Sequence, residues 1–340
     1  MINLTEEFKK LLDLTDNEQN EQVYKLKTIH FKIPIMMIGI DLITRERRIY
    51  IDISNENWND DQMKSLPKWR GVKVTKDTFD KIGPLINKRF LIIAQEDEDS
   101  EEIFEKLLQS LVDHILVSEG RSLFTVIYGV LDRWHNFFRF KTNKRLSLEE
   151  QMGLFGELYY IKTWLNKFVD EPPLIIDAWK GPTKHRIDFV KKNIGIEIKT
   201  ISQKIHDGLR ISNEKQLELN NVIRKIYLYV LKIEHTQSED GKSIQDLIDD
   251  IRFQLNERSK TGLVRFDDIL LELYISDDMY NDVYFYIHNE ETYEVTEKFP
   301  KIISDNLPIG VTNVSYKIDL SHCIEFKVET DKAYYSSKVG

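Results

Sequence analysis

Apolar residues fall into two periods along this chain, and the switches between them mark its elements. Residues 28–43 and 47–54 alternate like paired strands, and residues 89–94 add another. Ile103, Phe104, Leu107, Leu108, Leu111, Ile115 and Leu116 then recur at helical spacing, which predicts a helix over 101–117 with one buried side. A second helix is expected over 122–140. Ser147, three residues before Glu150, forms a capping-box signal. The helix it opens runs to about residue 168, with Leu154, Leu158, Ile161 and Leu165 in one stripe and with Gly153 and Gly156 leaving room for another backbone. A short strand at 174–179, a Gly181-Pro182 turn, a hairpin over 185–200, a helix from 212 to about 224 and a strand at 226–233 follow, in the order αβββαβ. Beyond them a helix is expected at 244–255, strands at 270–275, 283–288, 314–320 and 324–328, and a short helix at 299–306.

The hairpin carries the chemistry. It reads His-Arg-Ile-Asp-Phe-Val-Lys-Lys-Asn-Ile-Gly-Ile-Glu-Ile-Lys-Thr from His185 to Thr200. Side chains alternate along a strand, so Glu197 and Lys199 share one face while Ile196 and Ile198 take the other. A two-residue turn at Lys192-Asn193, with Asn tolerating positive φ, pairs Val190 with Gly195 and Asp188 with Glu197. Directly opposed carboxylates stand roughly 4.5–5.5 Å apart at Cβ, and a divalent cation between them would remove their repulsion. The reverse face is expected to join Ile187 and Phe189 to Ile196 and Ile198. The same charges also suit an ordinary cross-strand cluster in which Lys199 neutralises a carboxylate. Glu157 lies beside the apolar stripe of its helix, where an unpaired carboxylate is costly, so it needs a cation or a donor. Asp177 is another acidic group nearby, though an Asp at a strand end more often caps something.

With Glu157 on the first helix, Asp188 on one strand and Glu197-Ile198-Lys199 on the next, eight residues intervening, the segment resembles the PD-(D/E)XK nuclease core. More narrowly, the chain is similar to an uncharacterised prokaryotic family of PD-(D/E)XK proteins often encoded beside restriction-modification or phage-defence genes. Four stretches carry the likeness: Arg133-Trp134, Gly153-Leu-Phe-Gly-Glu-Leu, the 188–200 hairpin, and Phe299-Pro300, Leu307-Pro308 and Tyr316. Ile187 stands where the motif's proline would be. The resemblance implies an α/β fold (α+β overall) with a restriction-endonuclease-like αβββαβ core at 146–235. A recognition or docking domain of α+β type would precede it at 1–145, and an α+β extension at 236–340 would pack a small mixed sheet on it. It implies Mg²⁺, with Mn²⁺ as substitute, held by Asp188, Glu197 and the Ile198 carbonyl, with Glu157 bound through water or positioning Lys199. Lys199 would orient or activate the attacking water and offset charge as a phosphodiester is hydrolysed. Gln216, Lys184, Arg186, Lys191 and Lys192 are the candidate DNA contacts. The activity implied is a DNA endonuclease in host defence, working with an operon-encoded helicase, ATPase or methyltransferase. The alternative is a non-catalytic DNA-binding or assembly module; cleavage of RNA or of branched or modified DNA is a third reading.

Composition bounds these readings. The net charge of −9 argues against a broad DNA-coating surface, but Lys180, Lys184, Arg186, Lys191 and Lys192 gather near the proposed site while acid collects at 96–102 and 238–250. No apolar run approaches the roughly 18–20 residues of a membrane span, and no signal segment opens the chain, so a cytoplasmic protein is expected. The single cysteine, Cys323, excludes an internal disulfide and a cysteine-rich zinc site, and no pair of histidines has ligand spacing. Gly241-Lys242-Ser243 resembles the end of a phosphate-binding loop, but Thr236 occupies the position of its first glycine, so nucleotide hydrolysis would come from a partner. Trp58, Trp69 and Trp134 could stack on bases, but tryptophans are mostly core, and they are assigned no site. One site per chain would favour a dimer for a double-strand cut.

Overall fold

The computed structural model describes residues 2–13, 24–41, 43–83, 85–96, 101–140, 145–181, 185–203, 208–238, 240–277 and 279–339. It is a mixed α+β fold in two compact units, Met1–Lys141 and Thr142–Gly340. No helix among the described residues is long and apolar enough to cross a membrane.

The first unit runs α1 (Leu4–Asp13), β1 (Tyr24–His30), β2 (Met36–Asp41), β3 (Arg47–Asp52), α2 (Asp60–Ser65), β4 (Val72–Ile82), β5 (Leu85–Gln95), α3 (Glu101–Val117) and α4 (Leu123–Phe140). Its strands form one antiparallel sheet ordered β1-β2-β3-β5-β4. The α1 and α3 helices pack on it, and buried Arg47 on β3 is paired with Glu105 at 2.5 Å and with Glu101 at 2.9 Å on α3. The β4 strand was not anticipated. Its side chains are mostly polar and largely exposed, so apolar alternation gives little warning of it.

The second unit opens with α5 (Leu148–Lys167), whose Ser147 and Glu150 form the expected capping box. Next come α6 (Ile175–Ala178), β6 (Phe189–Lys191), β7 (Ile194–Ser202), β8 (Leu209–Ile211), a 3-10 turn at Glu214–Leu217 and β9 (Lys225–Thr236). The chain continues through β10 (Lys242–Ser243), α7 (Ile244–Arg258), α8 (Lys260–Glu272), β11 (Tyr284–Val295), β12 (Tyr316–Ile318), β13 (Lys327–Val328) and α9 (Asp331–Val339). The main sheet is ordered β10-β11-β9-β7-β6, with β13 beside β11, while β8 and β12 pair separately. The β7 and β9 strands are parallel and their other ladders antiparallel.

Both faces of this sheet are buried. Tyr227, Tyr229, Leu231 and Ile233 of β9 join Ile196, Ile198, α5 and α7 in one layer. Ile226, Leu228 and Val230 meet Leu209, Ile211, Leu217, Ile223, Ile318 and buried Cys323 in the other.

Several expectations are corrected. Within the strand expected at 174–179, Ile175–Ala178 form α6; after Pro172-Pro173 a short apolar run completes a helical turn as readily as an extended segment, and only Trp179 bridges to β6. The helix expected at 212–224 is one 3-10 turn. Asn213 accepts from the Lys215 N–H at 2.9 Å, and Asn220 from those of Val222 and Ile223 at 2.9 and 2.7 Å, so side chains satisfy the backbone in place of a helix. The core order αβββαβ is therefore realised as two helices, a hairpin, a crossover without a helix, and a strand. Residues 270–272 end α8, and the helix expected at 299–306 shrinks to a turn at Ser304–Asn306. Of the C-terminal strands, β11 and β13 join the core sheet, β11 hydrogen-bonding along nearly the whole of β9, while β12 pairs with β8 in a separate ladder.

Ile187 is also corrected. It packs in the layer of Leu209 and Ile223, opposite Phe189, Ile196 and Ile198. The chain bends at 186–188 before the ladder starts at Phe189, so strand alternation does not extend back to it.

The two glycines of α5 serve different ends. A Cβ on Gly156 would lie 2.0 Å from Oγ1 of Thr200 on β7, whereas one on Gly153 meets nothing within 4 Å. Gly156→Ala should destabilise the unit by roughly 1–3 kcal/mol, and adding Thr200→Ala should recover much of that loss. Gly153→Ala should stabilise it by roughly 0.5–1 kcal/mol. Denaturant titrations of the three variants check this; equal effects at the two glycines would contradict the packing.

Candidate active site

The β6–β7 hairpin has the expected register, with Val190 opposite Gly195 and Lys191 opposite Ile194. The positive φ falls on Lys192 (φ 50°), one residue before the expected Asn193. Asp188 stands just past the end of the ladder, and its Oδ2 accepts the Ile198 N–H at 2.7 Å. That bond ties the carboxylate to the backbone between Glu197 and Lys199. The Asp188 carbonyl accepts from the N–H groups of Lys180 and Gly181 at 2.6 and 3.0 Å, so the loop after α6 is stitched to the same point.

Glu197 has no exposed surface. Its Oε1 is 2.8 Å from Nζ of Lys199, and its Oε2 has no donor among the described residues. Lys199 Nζ also donates to Oε1 of Gln216 at 3.1 Å, and that oxygen accepts the Ser212 N–H at 3.0 Å. Gln216 is thus brought to the lysine, from a 3-10 turn and not from a helix. The turn is held by Arg186, whose guanidinium donates to the carbonyls of Lys215 and, at 2.6 Å, Glu218.

Glu157 reaches the group from α5. Its Oε2 accepts from the indole N–H of Trp179 at 2.5 Å. Gly181 lies so close that a Cβ there would come 2.4 Å from the same oxygen. Trp179 and Gly181 were not singled out in the sequence. Nothing in an apolar run ending in Trp reveals a donor for a carboxylate 22 residues away.

The charges act on one another. Burial, then the charge of Asp188, pushes the Glu197 carboxyl up to about 8, against the pull of Lys199. Burial raises Asp188, with Lys199 opposing. Burial and Asp188 raise Glu157 well above the carboxylate range. Burial works against the Lys199 charge, but Glu197 and Asp188 outweigh it and hold its pKa above the usual lysine value.

The remaining expected residues are scattered. Lys191 donates to the Lys338 carbonyl at 2.7 Å. Lys192 is exposed on the hairpin turn, and Asp177 is exposed on α6. Lys184 and part of the Gly181-Pro182 turn lie outside the described residues.

Among the described residues no group of three His, Cys, Asp or Glu side chains is placed to hold a metal ion. A Mg²⁺ site does not require one, since that ion is usually held by one or two carboxylates, with waters and substrate phosphates completing its shell. Two neighbouring carboxylates with raised pKa values, one with an unpartnered buried oxygen, fit such a donor set, and the Ile198 carbonyl belongs to the same strand. A cation would relieve both the burial and the repulsion.

The profile of the family described as "Putative PD-(D/E)XK family member, (DUF4420)" matches residues 5–321. No curated protein and no solved structure matches the chain.

A titration follows from this geometry. A carboxyl raised in the folded state contributes stability that is full below its unfolded value of 4.5 and is lost as pH rises to about 8. In chelator, wild-type stability should therefore carry a downward component across that window, of at most about 1.4 kcal/mol per pH unit, which Glu197→Gln removes. Equal pH slopes for the two proteins in denaturant melts would contradict the burial assigned to Glu197.

Proposed function

The chain belongs to this PD-(D/E)XK family, and from that premise we propose that it is a divalent-metal-dependent nuclease that hydrolyses phosphodiester bonds in DNA. The observation that carries the reading is the meeting of Glu157, Asp188, Glu197 and Lys199, drawn from a helix, the bend before β6 and one strand, around one buried locus. Mg²⁺ is the ion proposed, with Asp188 and Glu197 as its carboxylate ligands and the Ile198 carbonyl as a third. When bound, it would supply Lewis-acid polarisation of the phosphodiester and offset charge that builds in the transition state.

The chain's own residues divide the remaining work. Lys199, with its pKa held up, is an ammonium at neutral pH, so it acts as a donor and fixed positive charge, orienting the attacking water and stabilising the phosphorane-like oxygens, and not as a base. Gln216 fixes the direction of Nζ. Glu157, braced by Trp179, places a third carboxyl group beside the lysine. Of the cationic contacts proposed for DNA, Lys192 is presented to solvent, whereas Arg186 and Lys191 are engaged with backbone carbonyls and act by shaping the rim. Lys184 is kept as a proposed contact.

A host-defence setting, cytoplasmic location and cooperation with an operon-encoded helicase, ATPase or methyltransferase belong to the same proposal, as does pairing of two chains for a double-strand cut. A second reading, a binding or assembly module that keeps the fold without the chemistry, is favoured by one observation: Lys199 already gives Glu197 a cationic partner from the chain itself.

Lys199→Ala and Asp188→Ala separate the two. The nuclease reading expects cleavage of plasmid or single-stranded DNA that requires Mg²⁺ or Mn²⁺ and falls by at least about a hundredfold in either variant, with the fold retained by circular dichroism. DNA binding unchanged by both substitutions, with no cutting of any substrate by wild type, would establish the module instead.

A further inference from the structure

The first unit contains a cavity of about 400 Å³ between the Trp69–Val72 turn, the first turns of α3 and the end of α4. We propose that it takes one unpaired nucleotide of a nucleic-acid strand, the base lying against Trp69 and the phosphate meeting Arg70. The inference rests on the nuclease reading for its ligand class and deepens it by naming what the first unit reads.

Three observations carry it. The Trp69 indole lies within about 35° of parallel to the rings of His135 and Phe138, with centroids 5.9 and 6.1 Å away, and all three line the cavity. The unit's other tryptophans, Trp58 and Trp134, are only 4% and 8% exposed, while Trp69 is part-exposed. A partly exposed indole in an aromatic slot is a stacking platform, and any base offers it a π-face. A cation stands at its edge, since Arg70 lines the cavity and is exposed. Phe104 closes the apolar wall. The volume lies near the lower end of the roughly 300–1,000 Å³ usual for ligand pockets, suited to a single base and sugar and too small for a duplex.

The test is binding, not cutting, with the full chain in EDTA. A labelled single-stranded oligonucleotide, the same sequence as duplex, and free nucleoside monophosphates are titrated against wild type, Trp69→Ala, Trp69→Phe and Arg70→Glu. Single-strand affinity should fall on the order of tenfold in Trp69→Ala, fall less in Trp69→Phe, and weaken with a shallower salt dependence in Arg70→Glu. Duplex binding should not change in Trp69→Ala. Equal single-strand affinity in wild type and in folded Trp69→Ala and Arg70→Glu overturns the proposal, and so does a monophosphate binding as tightly as the oligonucleotide. Because Arg70 is exposed, its variant tests the site even if Trp69→Ala does not fold. A chain that binds single strands through Trp69 yet cuts nothing keeps this site and removes the activity; a chain that cuts, but binds single strands independently of Trp69, does the reverse.

Discussion

The site in this protein is organised around one costly residue, the fully buried carboxylate of Glu197. A carboxylate in that position is not stable alone. Here it is met by Lys199 two residues along the same strand, and the lysine is in turn aimed by Gln216 on the crossover. Asp188 is pinned to the backbone between the two by the Ile198 N–H. Apart from Lys199 these partners lie outside β7, so the bend before β6 and the crossover turn are held to tolerances set by one buried acid. Replacing this cluster with apolar residues would cost the fold little and could even stabilise it, which argues that its place in the core follows from what it does.

Much of this was legible from spacing. The hairpin register, the capping box of α5 and the long stripe of α3 are local patterns, and a local pattern survives any tertiary arrangement that buries it. The pairing of Glu197 with Lys199 needed only strand alternation. What escaped was set by side chains capturing backbone, or by exposure. Asn213 and Asn220 turned an expected helix into one 3-10 turn, the polar surface of β4 hid its strand, and Ile187 changed faces at a bend outside the ladder. Trp179 as the donor to Glu157 is a contact between side chains on separate helices and loops, and periodicity carries no trace of it.

The strand composition accounts for the rest of the unit. Because β9 is covered on both sides, its sequence is continuously apolar from Ile226 to Leu231. The β7 strand alternates instead, and Glu197 is the one charged residue in its buried run. The long pairing of β11 with β9 extends the same sheet into the C-terminal third, and Phe299, Ile318 and Cys323 from that third join the layer of Leu209 and Ile223.

The central claim is that this cluster is built to take a divalent cation. Calorimetric titration of Mn²⁺ into the metal-free protein near pH 7, in buffers of different ionisation enthalpy, tests it most directly. The account predicts saturable binding with net proton release to the buffer, because carboxyls held above their ordinary pKa must give up protons to become ligands, and loss of both in Asp188→Asn. Binding without proton release, or binding of equal strength in Asp188→Asn, would contradict it.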